Sequence, residues 1–175
     1  MRVIGGEFRS RVLKSLAGLD VRPTPDRLRE ALFSILAPQI DGIVFTDVYA
    51  GTGAVGIEAL SRGAARAVFV ETNRAAIQVV RANLKSLGLE ARSQILQLRA
   101  TRLTPAAFGD IVFMDPPYQM EREYADTLEL LGGAPPRLVI VQHDVRLKLK
   151  ESYGGLSRKR EVRQGDNVLS FYEVS

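Results

Sequence analysis

The chain contains no cysteine and a single histidine, His143. The first absence excludes disulfides, a thiolate zinc site and a cysteine nucleophile. The second removes a histidine-rich metal cluster and most histidine-based catalysis. No metal is expected. Long hydrophobic runs are also missing, and no apolar stretch approaches the ~20 residues that cross a bilayer. The opening Met1-Arg2-Val3-Ile4-Gly5-Gly6 lacks the apolar segment of a secretory leader. A cytoplasmic protein without a membrane partner is therefore expected. Internal repeats, low-complexity tracts and long linkers are absent as well. With 175 residues, 46% of them hydrophobic, residues 1–175 are expected to form one well-buried domain acting as a monomer.

Charge of one sign is scarce only in the middle. Net charge is +4 and pI near 9.6. Residues 1–30 carry seven Lys/Arg against four Asp/Glu, residues 146–175 again seven against four, and the middle ten against twelve. Basic flanks around a neutral body suit phosphate contacts that weaken with salt. Arg2, Arg9, Arg11, Arg22, Thr24 and the Arg158-Lys159-Arg160 cluster are the candidates. A solvated surface would account for the same residues.

Short apolar runs alternate with longer amphipathic ones, as in βαβ units with a mainly parallel sheet. Strands are expected at 43–48, 67–71, 94–98, 110–115 and 137–142, and helices at 54–62, 74–87 and 121–131. Asn73 is placed to cap the second of these helices and Gly88 to end it, with Ile77, Val80, Leu84 and Leu87 on its buried face. Residues 156–162 and 168–174 alternate as an antiparallel hairpin turning through Gly165-Asp166-Asn167. Ahead of this core, at 41–175, residues 1–40 read as an accessory arm. It comprises a hairpin over 2–13 turning near Gly5-Gly6, then a helix capped by Thr24 with Pro25 at its first position, reaching Leu36.

Two motifs carry chemistry. Asp47-Val48-Tyr49-Ala50-Gly51-Thr52-Gly53 follows the first strand, where glycines allow a sharp turn and close approach to a ligand. Glu71 ends the second strand, twenty residues beyond Gly51, where a carboxylate accepts from ribose hydroxyls. The fourth strand runs into Asp115-Pro116-Pro117-Tyr118. Two prolines lack N–H groups and fix φ, so the ladder must stop at Asp115. The stiff turn then offers a carboxylate and the Pro116 carbonyl to both hydrogens of a planar ring's exocyclic amine, with Tyr118 to stack on the ring. A rigid strand exit, a solubilising Glu71 and packing roles for Tyr49 and Tyr118 are the plainer readings of the same residues.

The combination resembles class I S-adenosyl-L-methionine-dependent methyltransferases, in their amino-methylating branch. Arg2-Val3-Ile4-Gly5-Gly6, Arg9-Ser10-Arg11, residues 22–33 and residues 57–64 narrow the resemblance to the RsmD-type family of bacterial 16S rRNA (guanine-N2)-methyltransferases. The resemblance implies a Rossmann-like α/β sheet with a C-terminal antiparallel hairpin and a basic N-terminal arm that binds RNA. It implies S-adenosyl-L-methionine as cofactor and 16S rRNA or the assembling small subunit as partner. Asp47, Ala50, Gly51 and Gly53 would hold the methionine part, Glu71 the ribose, and Tyr49, Thr72 and Ala100 would complete the site. Asp115, Pro116, Pro117 and Tyr118 would receive the target guanine. Arg99 departs from the family, which tends to place a small polar or acidic acceptor there for the adenine amine; a guanidinium accepts nothing.

Three other classes fit parts of the pattern. Residues 51–56 satisfy G-x-G-x-x-G, but a nicotinamide-dependent dehydrogenase leaves the proline turn unexplained and has no substrate domain. A non-catalytic ribosome-assembly factor would bind rRNA without transferring a methyl group. DNA adenine or protein glutamine methyltransferases share similar reactive turns.

Overall fold

The computed structural model describes residues 1–17 and 24–175. Five apolar runs become parallel strands: β1 (Val44–Val48), β2 (Arg66–Val70), β3 (Ser93–Leu96), β4 (Ile111–Met114) and β5 (Leu138–Asp144). Three more complete the sheet: β6 (Ser152–Tyr153), β7 (Leu156–Gln164) and β8 (Asn167–Val174). The order is β3-β2-β1-β4-β5-β8-β7-β6. β8 runs antiparallel to β5, from Leu138 opposite Glu173 to Asp144 opposite Asn167, and β7 and β6 continue antiparallel. The expected closing hairpin is thus present. β6, only two residues long, has no periodicity from which it could be read.

Helices cover both faces: α1 (Asp26–Leu36), α2 (Ala54–Ser61), α3 (Arg74–Leu87) and α4 (Glu121–Gly133). Period-two alternation in the strands separates two cores. Phe45, Phe69, Ile111, Phe113 and Ile140 pack with α1, α2 and α3, whereas Val48, Val70, Val112, Met114 and Val141 pack with Tyr124, Leu128 and Leu131 of α4. The expected caps of α3 hold, since Asn73 accepts from the Ala76 N–H at 3.0 Å and Gly88 takes a left-handed φ of 68°.

The N-terminal segment differs from the expectation. Thr24 does not cap α1: Pro25, at ψ 141°, is itself the cap residue and Asp26 starts the helix. Residues 2–13 do fold back antiparallel, but through one bridge, Arg2 to Val12, and a wide turn in which Arg9 N–H donates to the Gly6 carbonyl. Val3 N–H donates to the Arg11 carbonyl at 3.0 Å and Leu13 N–H to the Met1 carbonyl at 2.8 Å, while α2 accepts from the Ile4, Gly5, Glu7 and Phe8 amides between them. Glu58 accepts from the Ile4 and Gly5 N–H groups at 3.0 and 2.9 Å and from Arg62 Nε at 2.9 Å; the Ser61 hydroxyl accepts from Phe8 N–H at 2.9 Å. Val3 and Leu13 are buried in the first core. The segment is docked on the body, with its cationic side chains outward.

β1 is followed in sequence by β2 on one side, while β4 lies on its other side. Chain order reverses there. In open parallel sheets the crevice beyond the strand ends at such a point is where ligands bind, and both motifs of the sequence end at it.

Candidate functional site

The glycine turn leaves β1 through Tyr49, which adopts φ 64° although it is not glycine. That conformation costs roughly 1–3 kcal/mol and must be held by its surroundings. The Tyr49 hydroxyl donates to Glu123 Oε2 at 2.7 Å and lies 2.8 Å from Thr127 Oγ1, so α4 clamps the side chain. Gly53, at φ 81°, caps α2. Gly56 follows in the first turn of α2, where a Cβ would stand 2.4 Å from the Phe69 ring. These contacts bring the turn tightly onto β2.

Asp47 lies beneath the turn, accepting from the Gly56 N–H at 2.9 Å. Burial pushes its carboxyl well above the usual carboxylate range; the Gly56 hydrogen bond opposes this, and the Asp115 and Glu71 charges add to it. Asp47, Ala50 and Gly53 are not among the walls of the cavity beside them. Asp47 and Gly53 build the turn from below, the acid through its bond to Gly56 and the glycine as the cap of α2. Gly51 does reach the wall, and its N–H donates to Glu71 Oε2 at 2.8 Å. The other Glu71 oxygen accepts from the Thr72 and Asn73 N–H groups at 3.0 and 3.1 Å. Glu71 is therefore fixed in place with spare acceptor capacity.

β4 stops at Met114, as two prolines require. Pro116 is buried, and its carbonyl accepts from the Tyr124 hydroxyl at 3.0 Å, leaving one lone pair. Burial, with the Asp115 charge next, raises the Tyr124 phenol far above its ordinary value, so it stays a donor. The Tyr118 hydroxyl donates to Asn167 Oδ1 at 3.1 Å, linking the reactive turn to the first residue of β8.

The two turns share one cavity of about 840 Å³, whose walls include Tyr49, Gly51, Glu71, Thr72, Ala100, Asp115, Pro116, Pro117 and Tyr118. Its size suits a nucleotide-like ligand. Leu16, Met120, Glu123 and Gln142 are among the wall residues that sequence reasoning missed. Gln142 lies in the buried run of β5 just past its pairing with β4, and its Oε1 is shielded from solvent with no hydrogen-bond partner among the described residues. Only its place one residue past the β5 register partner of Met114 could have pointed to it. Glu123, on α4, joins Tyr49 to Arg99, whose guanidinium donates to it at 2.8 Å. Partial burial acts to raise the Glu123 carboxyl, but the hydrogen bonds from Tyr49 and Arg99 hold it below its ordinary value. It is ionised at neutral pH.

The basic candidates divide. Arg9, Lys159 and Arg160 are exposed. Arg2 and Arg11 are exposed too, while donating to the Ser10 and Ser86 carbonyls at 2.8 and 3.0 Å. Thr24 is half-buried and Arg22 lies outside the described residues. Arg158 is only 17% exposed and is paired with Glu151 and with Glu161 at 3.2 Å. A register shift in β7 between Arg158 and Arg160 leaves Arg158 half-buried while Lys159 and Arg160 stay exposed.

The family model described as conserved hypothetical protein 95 matches residues 1–173. Ribosomal RNA small subunit methyltransferase D of Escherichia coli is 36% identical over 180 residues, covering 99% of this chain and 89% of that protein. The solved structure of yhhF from Escherichia coli, 33% identical, superposes with a TM-score of 0.86 over 100% of this chain and 98% of that one. An RNA methyltransferase from Salinibacter ruber, solved with S-adenosyl-L-homocysteine, shares the fold at 16% identity and a TM-score of 0.68, covering 87% of this chain and 94% of that one.

Proposed function

The chain belongs to the RsmD-type family of rRNA methyltransferases, and from that membership we propose that it transfers a methyl group from S-adenosyl-L-methionine to the exocyclic N2 amine of a guanine in 16S rRNA. The observation that carries the reading is the single cavity walled by both Glu71 and Asp115. One acid stands on the glycine-turn side and the other on the proline turn, so donor and amine are held against each other.

S-adenosyl-L-methionine supplies an electrophilic sulfonium methyl, so the protein's task is alignment. Gly51, Glu71, Thr72 and Ala100 line the donor side, with Glu71 accepting from ribose hydroxyls; Asp47 and Gly53 keep the turn in shape. Asp115 and the remaining lone pair of the Pro116 carbonyl accept the two amine hydrogens. Those bonds strengthen as positive charge develops on nitrogen, which lowers the barrier selectively. Guanine also carries an N1–H beside its amine, and the unpartnered Gln142 Oε1 supplies an acceptor for it. Tyr118 stacks on the base, which must leave its helix to enter. Residues 41–175 act as the catalytic core, and residues 1–40, with Arg9 outward, as the RNA-facing part. Lys159 and Arg160 extend the phosphate contacts. An rRNA substrate places the reaction in the cytoplasm.

The test incubates the full chain and labelled S-adenosyl-L-methionine with undermodified 16S rRNA or small-subunit particles, and maps the labelled nucleoside by mass spectrometry. N2-methylguanosine is expected, lost in Asp115→Ala and strongly reduced in Tyr118→Ala. Label confined to DNA or protein, or rRNA binding without transfer, would overturn the proposal.

A further inference from the structure

We propose that the Arg99–Glu123 ion pair reads the adenine ring of the cofactor, the acceptor at that end of the cavity coming from α4 and not from residue 99. The inference rests on the cofactor reading above and goes beyond it in naming the groups that select the base.

The sheet order fixes where adenine must lie. β4, β1, β2 and β3 stand in succession, so a ligand whose reacting end meets Asp115 and whose ribose meets Glu71 ends over the residues that follow β3. Leu98, Arg99 and Ala100 form that wall. α4 packs against the turn Ala100–Arg102, which brings Glu123 to the same wall. Three carboxylates line the cavity among the described residues: Asp115 on the reactive turn, Glu71 at β2, and Glu123. The third is the one left for the base.

Chemistry agrees with position. Adenine presents an amine donor next to a ring-nitrogen acceptor. Glu123 spends one lone pair of each oxygen on Tyr49 and Arg99, and a carboxylate has about four acceptor sites. Arg99 is 64% exposed and uses one of its donors on Glu123, which is itself 12% exposed. Side by side, the carboxylate accepts from the amine and the guanidinium donates to the ring nitrogen. A hypoxanthine ring reverses both: its carbonyl oxygen meets the carboxylate and its N–H meets the cation, a repulsive arrangement that gives selectivity.

Calorimetric titration of the full chain with S-adenosylhomocysteine and S-inosylhomocysteine tests this. The wild-type chain should prefer the adenosyl ligand by at least about tenfold, since two matched hydrogen bonds become two mismatched ones. Glu123→Gln, whose amide can donate to a carbonyl oxygen, should narrow that ratio at least about tenfold. Arg99→Leu, at an exposed position, should narrow it as well. Thr127→Val removes a partner from Tyr49 but spares the ion pair, and should keep the ratio. Equal weakening of both ligands by Glu123→Gln, or an unchanged ratio, would overturn the inference by reducing Glu123 to a brace for Tyr49. Failure of the wild-type chain to bind either ligand would instead reject the cofactor reading, and the inference with it.

Discussion

Tyr124 shows how a residue remote from any motif sets the chemistry of one inside it. Its hydroxyl fixes the Pro116 carbonyl, so Tyr124→Phe should free that peptide to rotate. The loss of one hydrogen bond, about 1 kcal/mol, should lower kcat about fivefold in a single-turnover transfer assay, with cofactor affinity unchanged. Asp47 gives a pH signature. Its carboxyl titrates higher in the folded chain than in the unfolded one, so the folded state holds the proton longer. Stability from this group is fully present below the unfolded value, near 3.9, and is lost as pH rises through the folded value. Asp47→Asn keeps an acceptor for Gly56 and carries no charge; its thermal midpoint relative to wild type should rise as pH increases from 4 towards neutrality, measured by calorimetry. Side chains with one dominant role were legible from sequence, as Asp115, Tyr118 and Glu71 all reach the cavity wall. Glu123 was not, because its role depends on Arg99 and Tyr49, 24 and 74 residues away.

Among elements, the parallel strands and α3 were readable because their signals are local: apolar alternation, an Asn cap, a left-handed glycine. The N-terminal segment was not. Nothing in residues 2–13 announces that α2 will supply the partners of four of its amides, and Glu58, in the run Ile57-Glu58-Ala59-Leu60, gives no sign that its carboxylate will be sealed under Ile4 and Gly5. Glu58→Ala should therefore strand two amide donors and Arg62 together. Unfolding free energy should fall by about 2–4 kcal/mol, and hydrogen exchange should accelerate across residues 1–13 before the sheet opens. If those amides exchange at the wild-type rate, the docking account is wrong. α1 carries a similar lesson: its register puts Arg29 in the buried row with Leu28, Leu32 and Phe33, where its Nη2 donates to the Arg2 carbonyl at 2.7 Å.

For the molecule as a whole, net charge matters less than which cations are already paired. Arg9, Lys159 and Arg160 face solvent, whereas Arg158 is bound to two glutamates. Filter binding of 16S rRNA across a salt series should separate them. Arg9→Ala and Lys159→Ala should each reduce the slope of log affinity against log salt by about 1. Arg158→Ala should leave the slope alone and lower the thermal midpoint. The sheet order has a broader consequence through the hydrogen bond from Tyr118 to Asn167. In the proposed reading the donor side is drawn from the stretch between Tyr49 and Ala100, apart from the α4 clamp, while Tyr118, assigned to the nucleobase, is hydrogen-bonded to the first residue of β8. Asn167→Ala should slacken that leash and disarm the acceptor half while the donor half loads normally. On that reading, changes in the C-terminal strands would retune the choice of acceptor without relearning how to hold the methyl source.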